Sequence, residues 1–403
     1  MVDRICRFPA HQGPNPGGLL ITLSSADRPP DSAVLHSPGG FTWFYVDLID
    51  DQGRGATLIW SWGLPFLPGY AQASRNGRPQ LPINRPSVNL VVYEDGRESF
   101  YLLSELAPEQ CVWGDDGRSW RLGGCTFTWT DTPCADGAAP TRELLADLDL
   151  ALPTGGRATG QVWLSGSLRR DPAAAGGPAD LAAAGEPADL AGSHVWAPMI
   201  AASRGGLELQ TPSGDLRLEG RGYHDRNSAP QPLHDLGVQR WLWGRVALPG
   251  RDLVFYRLIP SIVGDRPRDL IVEIAADGGC RVREDAGLRM GRLRRSLWGL
   301  SWPSEITFCD PDGHTVHVQF SALLDNGPFY QRYLLRGRCN GQQGYGLGEN
   351  LVPDRVDSNL LRPLVQMRVH RADGPNSMWL PLFSGDSAGR LRRLLGRPGP
   401  VRV

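Results

Sequence analysis

The chain has 403 residues, enough for two or more domains, and its 41% hydrophobic and 21% charged content is that of a globular protein. A formal net charge of −1 gives no bulk attraction to nucleic acid or to anionic surfaces. Every basic side chain is arginine, and the absence of lysine excludes a Schiff-base lysine and a phosphate-loop lysine.

Taken in chain order, short strand-like runs dominate. They are predicted at 41–49, 56–62, 87–94, 99–106, 125–130, 160–168 and 215–225, then at 240–248, 252–259, 269–275, 280–285, 314–323 and 364–371. Many of these alternate apolar and polar residues, as half-buried strands do, and Gly/Asp turns such as "DDQGRG" and "EDGRE" separate them. Helical periodicity is sparse, and "SAGRLRRLLGR" (387–397) is the best helix candidate. The low-complexity stretch 171–192, in which P-A-D-L-A occurs twice, reads as a surface insertion without a catalytic role. The pattern predicts an all-β chain of antiparallel barrels or sandwiches.

The seven cysteines are scattered and include no C-x-x-C, which argues against a disulfide framework or a zinc site and for a reducing compartment. "HTVH" (314–317) puts its histidines on opposite strand faces, so no metal site is expected there. The first 25 residues lack a signal-peptide pattern, and no run reaches the ~20 apolar residues of a membrane helix. The expectation is a cytoplasmic protein. The basic-apolar runs 289–300 and 389–397 leave open a peripheral contact with the inner membrane.

Residues i and i+2 of a strand share a face. Tyr223 therefore lies beside Asp225 with His224 opposite, His194 lies beside Trp196, and Trp241 lies beside Trp243. If Asp225 points into a barrel among aromatic rings, burial raises its pKa and makes it a general acid. Aromatic faces nearby can stabilise a cation. The structural alternative is a Tyr–Asp pair that only makes a structural hydrogen bond or an ion pair with Arg221 or Arg226, and tryptophans that only pack the core.

On these residues the chain resembles a known family. "GFTWFYVDLIDDQG", "HVWAP", "GRGYHDRN" and "QRWLWGRVALP" are similar to segments of the carotenoid 1,2-hydratases (hydroxyneurosporene synthases), colinear over roughly residues 35 to 390. The resemblance implies two tandem lipocalin-like β domains, here 1–235 and 236–403, with the ligand pocket between or within them. It implies a hydro-lyase that needs no cofactor and adds water to the terminal C1–C2 double bond of an acyclic carotenoid or related isoprenoid. It carries the proton-donor role to Asp225 and supporting roles to Tyr223, His194 and Trp196. Trp241 and Trp243, with Asn227 and Arg240 completing the Y-x-D-x-N and R-W-x-W motifs, are assigned to the hydrophobic substrate. The chain departs from the family pattern at Leu242, between the two tryptophans, at Ser-Ala-Pro after Asn227, and at His234-Asp235. Cyclisation of a polyene in the same pocket, or carriage of a hydrophobic ligand without catalysis, remain as alternatives.

Overall fold

The computed structural model describes residues 21–27, 29–134, 139–170, 194–284 and 286–386. The 171–192 insertion and the 387–397 helix candidate lie outside them. Two large sheets account for most of the strands. The first runs from Ile21 to Ala229 and takes in one late strand, Val369–Arg371, which pairs in parallel with Arg97–Glu105. The second is built from strands between Val238 and Leu351. Residues assigned from sequence to the second domain thus return to complete the first sheet.

Both sheets are antiparallel meanders over most of their width, and turn chemistry sets the register. Asp95-Gly96 and Asn340-Gly341 each place two consecutive residues at positive φ, the requirement of a two-residue hairpin turn that matches strand twist. The first sheet curls on itself: Phe44 reaches Trp120 with ring centroids 4.7 Å apart, and Trp60 stacks on Phe127 at 4.5 Å, although their strands are far apart in the sheet order. Its inner core is one cluster containing Phe44, Val46, Leu48, Trp60 and Phe127. The second sheet encloses a core of Leu242, Val246, Phe255, Val318 and Tyr333. This is the lipocalin-like, all-β architecture expected from sequence.

A third core lies between the two sheets. Strand alternation sends Trp43, Tyr45, Trp196 and Tyr223 out of the first sheet's inner core and toward Trp241, Trp243 and Tyr256 of the second. Burying this apolar surface from both sides holds the halves together. A fully buried ion pair crosses the same seam: Arg245 of the second sheet bonds Asp47 of the first at 2.6 Å, and within its own sheet it bonds Asp252 at 2.9 Å. Asp252 also accepts from the backbone N–H of Ala202, a residue at φ +49° in an irregular part of the His194–Thr211 strand.

Three expectations are corrected. The stretch 364–371 is not one strand: Arg362–Gln366 is a short helix, and only Val369–Arg371 is extended. Strands at Thr141–Ala151, Tyr330–Cys339 and Gln342–Leu351 were not anticipated. Cys309 is disulfide-bonded, whereas Cys111, Cys125, Cys134 and Cys339 are free thiols.

Candidate active site

Asp225 sits mid-strand in Gly214–Ala229, directly opposite Tyr45 of the neighbouring Phe41–Ile49 strand. Its side chain points into the seam between the sheets and not, as the sequence reading supposed, into a barrel interior. It is 2% exposed. Oδ2 accepts from the Trp196 indole N–H at 2.8 Å and from the Tyr223 hydroxyl at 2.9 Å. Oδ1 accepts from the Asn227 amide at 2.9 Å. Neither Arg221 nor Arg226 pairs with it, so the ion-pair alternative does not hold.

Burial is the main influence on this carboxyl and pushes its pKa from 3.8 up to about 8. The bonds from Trp196 and Tyr223 pull the other way but do not prevail, while Glu349 and Asp47 add to the rise. At pH 7 the neutral acid therefore predominates. Oδ2 already accepts two bonds and Oδ1 only one, which leaves Oδ1 as the oxygen with room for the proton.

His194 shares the face of Trp196, as strand parity predicts. Its Nε2 lies 2.9 Å from the Asn227 carbonyl, so in this arrangement Nε2–H donates and the Asn227 amide is turned toward Asp225. Burial lowers the His194 pKa to about 4, so the ring is neutral at pH 7. His194 thus acts on Asp225 through Asn227. His224, on the opposite face, donates from Nδ1 to the Tyr45 carbonyl at 2.9 Å and stacks on Trp60 inside the first barrel. Its pKa falls to about 3 through burial, and it belongs to that core.

Asp225 opens on a chamber of about 310 Å³, counted to its mouth, whose walls include Trp43, Tyr45, Trp241, Trp243, Tyr256 and Glu349. His194 and Asn227 complete the lining. Trp43, Tyr45, Trp241 and Glu349 also line a larger apolar cleft of about 1010 Å³ that runs between the sheets past Phe66, Tyr101 and Phe329. Cleft and chamber adjoin through these four residues, and Asp225 lines the smaller of the two.

The predicted residues therefore separate into three groups. Asp225, His194, Asn227, Trp241 and Trp243 line the chamber. Trp196 and Tyr223 bond the Asp225 carboxyl, and neither lines the chamber. Arg240 is outside: it bonds Asn350 at 2.7 Å and the Ser301 carbonyl, on the face opposite Trp241. His234 and Asp235 lie in a short turn with Nε2–Oδ1 3.8 Å apart, away from the chamber lining.

Sequence reasoning missed Trp43, Tyr45, Tyr256 and Glu349. The first two share a strand face in "FTWFYV" and were open to the same parity argument. Among the described residues one group, Asp310, Asp312 and His314, could bring three ligand atoms within 4.8 Å. Its carboxylates are already bonded to Arg251 at 2.9 Å and Arg281 at 2.8 Å, as a salt-bridged turn would have them.

The family model for carotenoid hydratase CrtC matches residues 163–377, more than half of the chain. The chain belongs to the carotenoid hydratase CrtC family. The matched span contains every strand of the second sheet, the acid-bearing strand and the His194 strand. Among relatives of this CrtC-family protein, an acyclic carotenoid 1,2-hydratase of Thiocapsa roseopersicina is 27% identical, covering 89% of this chain and 80% of that one. A hydroxyneurosporene dehydrogenase of Chlorobaculum tepidum is 26% identical over 86% and 91% of the two chains. The acyclic carotenoid 1,2-hydratase of Rhodobacter capsulatus is 27% identical over 77% and 96%. In fold, the CrtC-family chain is similar to a Nitrosomonas europaea protein described as AttH, with a TM-score of 0.52 at 13% identity, covering 82% and 98% of the two chains.

Proposed function

We propose that this protein is a hydro-lyase that adds water to the terminal C1–C2 double bond of an acyclic carotenoid or related isoprenoid, with Asp225 as the general acid. The observation that carries this reading is a buried carboxylic acid, neutral at pH 7, set in an aromatic chamber that adjoins an apolar cleft between the sheets. Such a cleft suits a long hydrocarbon, which needs apolar walls and few polar groups. Names of relatives sharing most of the chain's length support the same reaction.

In the proposed reaction the alkene end lies over Asp225. The Oδ1–H bond breaks as the π pair forms the new C2–H bond, and positive charge develops on the tertiary carbon C1. The faces of Trp43, Trp241 and Trp243 and the rings of Tyr45 and Tyr256 surround that charge. The new Asp225 carboxylate keeps its bonds from Trp196, Tyr223 and Asn227, which strengthen as the charge forms and so favour the transition state over the ground state. Water then adds at C1 to give a tertiary alcohol. Side chains and water suffice for these steps.

Reaction in ¹⁸O-labelled water tests the reading. The expected product carries one labelled oxygen at C1. A rearranged product of unchanged composition would replace hydration by cyclisation, and tight binding with no product at any enzyme concentration would replace it by carriage.

We further propose that the mouth of the cleft meets a membrane surface, from which such a substrate would arrive. Leu297 is 100% exposed and Trp298 38%, and Arg292 and Arg295 beside them are exposed. The Trp298 indole N–H bonds the Asn326 carbonyl at 2.9 Å, next to Gly327 and Pro328 in the cleft wall. Leu360, also exposed, precedes the short helix that contributes Leu364 and Val365 to the same wall. Apolar tips among arginines suit an anionic bilayer interface. No helix among the described residues is long and apolar enough to cross a membrane.

A further inference from the structure

Hydration of an alkene moves two protons. One goes to C2, and the attacking water must then lose one. We propose that Glu349 is the base that takes this second proton, an assignment that rests on the hydration reading above.

Register places Glu349 opposite the acid. Glu349 is the cross-strand partner of Trp243 in the second sheet, and Asp225 is the cross-strand partner of Tyr45 in the first. Tyr45 and Trp243 meet across the seam edge to face, with ring centroids 5.5 Å apart. The two carboxyl groups thus enter one chamber from apposed sheets, and both line it. A substrate end lying between them presents one face to each.

The partners of Glu349 suit a base. Arg332 bonds Oε1 at 2.6 Å and the Tyr330 hydroxyl bonds the same oxygen at 2.7 Å. The other oxygen, Oε2, accepts no hydrogen bond among the described residues. Beside it in register, the buried indole N–H of Trp243 has no acceptor either. A carboxylate oxygen left without a donor, on a residue that lines the chamber, is a contact a nucleophilic water needs. Such a water donates to Glu349, and a lone pair is free for C1.

Other candidates are weaker. The His194 Nε2–H is spent on Asn227, and its low pKa makes the ring a poor base. Asp47 is engaged by Arg245 and by the Tyr45 hydroxyl. The step balances as follows. The C1–O bond forms from a water lone pair, an O–H bond of that water breaks, and its proton joins Oε2. Asp225 ends ionised and Glu349 protonated. The proton returns to Asp225 through water that fills the chamber after product leaves.

Azide separates the base from the acid, because an anionic nucleophile has no proton to lose. With an acyclic carotenoid bearing the terminal double bond, Glu349→Gln is expected to hydrate at least about 100-fold more slowly than wild type. Sodium azide is expected to restore turnover of this variant as the C1 azide adduct, which also shows that it folds and binds. Glu349→Asp, which keeps a charge for Arg332 but withdraws the oxygen, is expected to fall in between. Hydration by Glu349→Gln within threefold of wild type would overturn the assignment and return the second proton to Asp225. Loss of hydration with no azide adduct would also overturn it, leaving Glu349 a structural partner of Arg332. The acid reading fails separately, if Asp225→Asn hydrates normally or forms the azide adduct.

Discussion

Replacing Asp225 by Asn tests both the chemistry and the physics of the acid. The amide is nearly the same size, but it has no proton to give to carbon. General acids contribute about 10²–10⁴ in rate, and protonation of an isolated alkene leans heavily on the acid, so at least about a 10³-fold loss of turnover is expected. The stability of the variant carries the sharper number. The unfolded chain releases this proton near pH 3.8 and the folded chain near pH 8. Between those values the folded state holds one proton more, so raising the pH destabilises the wild type by about 1.4 kcal/mol per unit until the folded protein also ionises. From pH 5 to pH 8 the contribution sums to about 4 kcal/mol. An amide at 225 removes it. Urea unfolding of both proteins at pH 5 and pH 8 should therefore show the variant gaining on the wild type by about that amount at the higher pH. If the difference between the two proteins is the same at both pH values, Asp225 is ionised throughout and the acid mechanism loses its basis.

Other outcomes follow from single contacts. Tyr223→Phe deletes one of the two bonds to Oδ2. Turnover should fall about tenfold and the basic limb of the pH–rate profile should move upward, since that bond favours the carboxylate; a downward move would contradict it. Gly346→Ala would drive a methyl group into the carbonyl of Arg245 on the paired strand, and a loss of about 2–3 kcal/mol in urea unfolding is expected. Leu297→Asp combined with Trp298→Ala should reduce sedimentation with anionic vesicles about tenfold or more and leave turnover of detergent-dispersed substrate unchanged. Equal vesicle binding by wild type and variant would remove that surface from consideration.

How legible the site was in the sequence depended on which strand carried each part. "GRGYHDRN" alternates cleanly, so parity put Tyr223 and Asp225 together and sent His224 elsewhere, as the structure does. Parity also set Arg240 opposite Trp241, but motif membership assigned both to substrate, and the side chain went to Asn350. Glu349 was hidden for a physical reason. Its strand reads "QQGYGLGENL", where glycine replaces the apolar beat that marks a strand. Those glycines are required by close backbone approach: a Cβ at Gly344 or Gly346 would overlap the carbonyl of Ala247 or Arg245. The usable signal was the turn before it, Asn340-Gly341, which announces a hairpin and therefore a following strand. That the sheets pack back to back around a third core could not be read from local periodicity, which tells which residues share a face but not what that face meets.

The seam that carries Asp225 on one side and Glu349 on the other has a consequence for inheritance. Each barrel keeps its own inner core and can drift in sequence without disturbing its partner. The reacting pair cannot, because the spacing of its members is a property of how two bodies dock. Exchanging one half with that of a relative would conserve two intact folds and still misalign the acid with its counterpart, unless the Asp47–Arg245–Asp252 contact came with it. Selection for the reaction would then be felt most strongly at residues that touch no substrate at all.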